Sequence, residues 1–108
     1  MISPEMIRQE LFVVGKELGK AADAIYKLET AAEQAELDYQ KQFDVAFLSG
    51  NGSIEDRKAF ARSQAESVHE GLIVARAAYN RGKMKAKHLE LEQMRLMAVL
   101  KSIQAEGA

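Results

Sequence analysis

Apolar and small side chains recur along the first half of the chain at alternating steps of four and three. The series is Ile7, Leu11, Val14, Leu18, Ala21, Ile25, Leu28, Ala32, Ala35, Tyr39, then polar Gln42, then Ala46. That spacing keeps one stripe facing a partner helix over five heptads and predicts a coiled-coil seam. Ser3 suits an N-cap, Pro4 the first helical position and Glu5 the positive end of the helix dipole. A second seam of the same rhythm runs Ala61, Ala65, Val68, Leu72, Ala75, Tyr79, Gly82, Ala86, Leu89, Gln93, Leu96, Leu100, Ile103. Between them lies Ser49-Gly50-Asn51-Gly52, the one strong turn signal in the interior. Ser53 follows as a second N-cap, with Glu55 and Asp56 in the first turn after it.

The pattern therefore predicts an all-α chain with a helix over about residues 4–48, a turn at 49–52 and a helix over about 54–104. Two helices of similar length joined by a short turn fold back as an antiparallel two-helix coiled-coil hairpin in a single domain. At about 1.5 Å per residue, each arm would be roughly 65–75 Å long. With the turn centred near Asn51, Tyr79 should lie by Ala21 and Ala22, Tyr39 by Ala61 and Ala65, and Gly82 near Leu18. Both tyrosines then read as seam packing, large against small.

A two-helix core is thin, and such hairpins gain stability from a partner. Around the open end the apolar residues spread beyond the seam: Met6, Phe12 and Val13 on the first helix, and Leu91, Met94, Met97, Ala98 and Val99 on the second. This predicts a homo-oligomer assembled through Met6, Phe12, Val13, Leu91, Met94, Met97 and Val99. Gly15, Gly19, Gly71 and Gly82 sit inside the predicted helices, where they favour either close helix approach or local bending.

Charge changes the picture next. The chain has 15 Lys and Arg against 16 Asp and Glu, a formal net charge of -1. Yet residues 76–88, RAAYNRGKMKAKH, carry Arg76, Arg81, Lys83, Lys85 and Lys87 and no acid. None of the five falls on the seam. Lys16 and Lys20 on the antiparallel arm should assist them. Repeated around an oligomer, these side chains would form a basic belt suited to a phosphate backbone, without sequence preference. No aromatic interleaving is evident on the predicted exposed faces, so base stacking is not expected.

Other chemistry finds little footing. There is no cysteine for a disulfide or thiolate metal site, no Gly-rich phosphate loop, and no arrangement of nucleophile and base. Glu66 and His69 have the spacing of half a di-metal carboxylate site, but the remaining ligands are missing, and His69 reads as an ordinary surface residue. The expectation is a protein that is not an enzyme and uses no cofactor or metal. No apolar run is long enough to span a bilayer, and the N-terminus lacks the basic-then-apolar pattern of a signal peptide. A cytoplasmic protein without a membrane partner is expected.

Two stretches carry a family resemblance. Ala35-Glu36-Leu37-Asp38-Tyr39 with the Ser49-Gly50-Asn51-Gly52 turn, and Lys83-Met84-Lys85-Ala86-Lys87-His88-Leu89 running on to Gln93-Met94-Arg95, resemble the UvsY-type recombination mediators of tailed bacteriophages. The resemblance implies a helical, ring-forming protein that binds single-stranded DNA and helps load a RecA-like recombinase in place of the single-strand-binding protein. It also implies the cytoplasm of a bacterial host. In that family basic residues precede the Leu-Asp-Tyr element, whereas this chain has Gln34, Ala35 and Glu36 there. The nucleic-acid contacts are therefore expected from Arg76, Arg81, Lys83, Lys85 and Lys87, with Lys16 and Lys20. From Leu28 to Leu48 five acids stand against Lys41 alone, a composition that suits a basic protein partner. The reading from another class is a small coiled-coil adaptor, chaperone or inhibitor, such as a phage anti-defence factor, whose target is a protein.

Overall fold

A computed structural model describes residues 2–107. Among them the structure is all-helical: α1 spans Pro4–Ser49, α2 Ile54–Gln64 and α3 Glu66–Gly107. The long helices α1 and α3 pack against each other. The chain divides into two compact units: unit 1 comprises Met1–Ile25 and Arg81–Ala108, and unit 2 comprises Tyr26–Asn80.

In unit 1, α1 begins where its capping residues dictate. The Met6 backbone N–H donates to the Ser3 hydroxyl at 3.2 Å, satisfying one of the amides that a helix start leaves free. The core is the seam. Ile7, Ala21 and Leu96 are buried, and Leu11, Val14, Leu18, Ile25, Ala86, Leu89, Gln93, Leu100 and Ile103 are half-buried around them. Leu96, 1% exposed, is the largest fully buried side chain among the described residues.

In unit 2, the second half of α1, the turn, α2 and the start of α3 form a helical hairpin. Its core is mostly alanine: Ala32, Ala46, Ala61 and Ala65 are buried together with Leu72, and Ala61 and Ala65 are 0% exposed. Tyr39 is half-buried, tilted against Phe43 with ring centres 6.0 Å apart and against His69 at 5.1 Å. The turn rests on a reciprocal capping box. Asp56 N–H donates to the Ser53 hydroxyl at 3.2 Å, and Ser53 N–H donates to the Asp56 carboxylate at 3.1 Å. Gly52 has φ 95°, a left-handed conformation that a side chain would strain.

Two features differ from the pattern-based expectation. The helix expected from about 54 to 104 is divided at Ala65, whose backbone departs from helical geometry at φ -95° and ψ 8°. Two hydrogen bonds span the break: Ala65 N–H donates to Ala61 O and His69 N–H to Ala65 O, both at 2.9 Å. The register in unit 2 is also shifted. Tyr39 meets His69, a turn further along than the expected Ala61 and Ala65, and Tyr79 lines a groove with Glu29, Ala32 and Glu33. Close contacts at the turn accompany this shift. A Cβ at Gly50 would come within 3.3 Å of the Phe60 ring and 3.5 Å of Arg57, so the first turns of α2 lie across the end of α1. The effective centre of the hairpin therefore falls beyond Asn51.

Candidate nucleic-acid interface

The α3 cations expected to form the interface are exposed. Arg81, Lys83, Lys85 and Lys87 all belong to unit 1, and helical periodicity sets Arg81 and Lys85 on one flank of α3 and Lys83 and Lys87 on the other. Exposed Met84 stands between the flanks. Among the described residues, Arg81, Lys85 and Lys87 form no ion pair with an acid. The two units differ in charge as well: unit 1 holds nine basic residues against seven acidic, and unit 2 six against nine.

Arg76 departs from the set. It lies in unit 2, and its guanidinium pairs with the Glu36 carboxylate at 3.2 Å, each side chain about half exposed. Glu29 and Glu33 line the same groove, so the surroundings of Arg76 are acidic and disfavour a phosphate. On α1, Lys20 Nζ lies 3.5 Å from Glu17, and Lys16 Nζ lies 5.1 Å from the centre of the Phe12 ring. Both lysines are exposed.

Of the residues expected to mediate assembly, Met6, Phe12, Val13, Leu91, Met94 and Met97 are each more than half exposed, and Val99 is half-buried. All are in unit 1. Met6 and Val13 line a groove of about 410 Å³ with Val14, Glu92 and Leu96. Two ion pairs within single helices lie near this surface: Arg8 pairs with Glu5 at 3.7 Å and Arg95 with Glu92 at 2.6 Å. The hydrogen bond from Arg95 holds the Glu92 carboxyl below its usual range and raises Arg95 in turn.

The sequence pattern missed a second apolar surface. In unit 2, Val45, Leu48, Ile54 and Phe60 are exposed, and Val45, Ala46, Phe60 and Val68 line a groove of about 520 Å³ with Asp38 and Lys41 at its edge. Val45, Leu48, Ile54 and Phe60 sit off the seam, where spacing alone does not say which side chains a neighbouring helix covers. Glu66 and His69 hold no metal-like cluster: among the described residues no three candidate ligands come together, and His69 rests against Tyr39. No described helix is long and apolar enough to cross a membrane.

The fold and surface thus define a class, an all-helical chain with an exposed cationic stretch and unpartnered apolar faces. No family model, curated protein or solved structure matches it.

Proposed function

We propose that this chain is a non-enzymatic, self-associating protein that binds single-stranded nucleic acid, DNA in the first instance, through Arg81, Lys83, Lys85 and Lys87, with Lys16 and Lys20. The observation that supports the reading is the exposure of these α3 cations in a unit with a surplus of bases, three of them without an acidic partner among the described residues. Such side chains capture phosphates by counterion release and read no bases. Of the expected assembly set Met6, Phe12, Val13, Leu91, Met94, Met97 and Val99, Phe12 is set apart because Lys16 lies over its ring. Self-association through the other six would repeat the weak individual contacts, so avidity supplies the affinity. The resemblance to UvsY-type mediators narrows the role to loading a RecA-like recombinase, with that recombinase or a single-strand-binding protein as partner. Arg76 drops from the contact set because, besides its pairing with Glu36, Glu29 and Glu33 line the same groove, whereas the exposed Lys20 faces Glu17 alone among the described residues.

The test is anisotropy of a labelled single-stranded oligonucleotide at two salt concentrations, with light scattering for mass. Expected is binding that weakens steeply with salt, by a species heavier than the 12.0 kDa chain. Lys85→Ala or Lys87→Ala should each lower the salt slope by about 0.7, the value for one neutralised phosphate on a single strand. Binding indifferent to salt, or no binding at low salt, refutes the reading. The groove of unit 2 favours a second reading, a protein-binding adaptor. In that case Phe60→Ala abolishes capture of the target while charge reversal at Lys85 and Lys87 does not.

A further inference from the structure

On the unit 1 part of α1, Phe12, Gly15, Gly19 and Ala22 recur at steps of three and four, forming a stripe of their own beside the seam. Phe12 is 66% exposed, more than any other large apolar side chain of α1 within unit 1. Lys16 lies one turn further on, its ammonium 5.1 Å from the ring centre, and Lys20 lies one turn beyond that. A Cβ at Gly15 or Gly19 would meet nothing within 4 Å. The surface between Phe12 and Ala22 is therefore a shallow strip at backbone level, with an aromatic ring at one end and two lysines alongside.

We propose that Phe12 is a base-stacking position for single-stranded nucleic acid, with Lys16 and Lys20 holding phosphates of the same strand; this rests on the nucleic-acid reading above. Lys16 lies over one face of the exposed Phe12 ring, and the opposite face is a flat apolar surface that any base can cover; stacking needs no hydrogen-bond code. Lysines within reach of the ring supply the countercharge that the strand brings with it. The glycines remove the side chains that would hold a sugar-phosphate chain away from the helix. A duplex keeps its bases stacked on one another, so this arrangement selects single strands, which the α3 cations alone do not. The stripe also corrects the expectation that no exposed aromatic accompanies the bases. The signal was present in the four-residue spacing of Phe12 and Lys16.

Because the chain contains no Trp, Phe12→Trp gives the full-length protein a single indole at the proposed position. Its emission is followed while a labelled thymidine oligonucleotide is titrated at low salt and anisotropy reports binding independently. Expected is quenching with the same midpoint as the anisotropy rise. Binding without quenching overturns the stacking proposal and leaves the nucleic-acid reading standing; absence of binding by the unaltered protein overturns both. As a second arm, Phe12→Leu should weaken binding roughly tenfold with an unchanged salt slope, and Phe12→Tyr should preserve it. Unaltered affinity in Phe12→Leu overturns the proposal. So does a fall in assembled mass in that variant, which would assign Phe12 to a contact between copies.

Discussion

Leu96→Ala asks the most of the core described for unit 1. The substitution removes the equivalent of three methylenes from a side chain that is 1% exposed. At about 0.8 kcal/mol for each, the lost transfer term is about 2.4 kcal/mol. A cavity term adds to this only as far as the surroundings fail to close. Here Leu96 borders the groove lined by Met6, Val13 and Val14, which is open to solvent, so neighbours can shift in and the extra cost stays small. The expected loss is about 3 kcal/mol, or roughly 12–24 °C in Tm for a chain of this size. Leu91→Ala, at a side chain 53% exposed, is the matched control and should cost under about 1 kcal/mol. Both are read by urea unfolding followed by circular dichroism at several protein concentrations, so that stabilisation through association is separated from that of the single chain. A loss below about 1 kcal/mol at Leu96, or equal losses at the two positions, refutes the assignment of Leu96 to the core.

Gly71→Ala fills open space on a helix and should raise stability by about 0.4–1 kcal/mol in thermal unfolding. Gly52→Ala should do the reverse, because the residue has φ 95° and its Cβ would approach the Asp56 carboxylate to 2.7 Å; a rise in Tm would refute the turn geometry. Ser53→Ala removes one half of the capping box and should cost about 1 kcal/mol, with the loss visible as earlier hydrogen exchange at the start of α2. In an NMR titration, the Glu92 midpoint should lie below the ordinary carboxylate range and rise in Arg95→Ala, which removes the hydrogen bond that holds it down. Its carboxyl is depressed in the folded chain, so its contribution is present above the ordinary carboxylate range and is lost as pH falls through the lowered value.

The seam was legible because its rhythm is a direct consequence of helix geometry. Every position in the two series is buried or half-buried except Gln42, the polar break, which is exposed. The register of unit 2 was not legible. It depends on how the chain crosses from Gly50 to Phe60, and the turn residues give the existence of a reversal without its path. The fate of Arg76 follows from the same gap, since its pairing with Glu36 is a contact between helices that only the register decides. Nor could spacing say that Val45 and Phe60 stay uncovered or that the backbone departs from helical geometry at Ala65. The cations of α3 were legible as exposed because they avoid the seam. What they bind is written in charge and exposure, and those are shared by many surfaces.

The turn between Ser49 and Ile54 has a consequence for molecularity. It ties the two sides of the alanine seam in unit 2 together through a few exposed residues, so their pairing is a unimolecular event at high effective concentration. A single cut at Asn51 would leave every packed side chain in place and yet turn that pairing into a bimolecular equilibrium. The alanine core buries little area per residue, and the severed halves would then hold together only as far as their concentration allows.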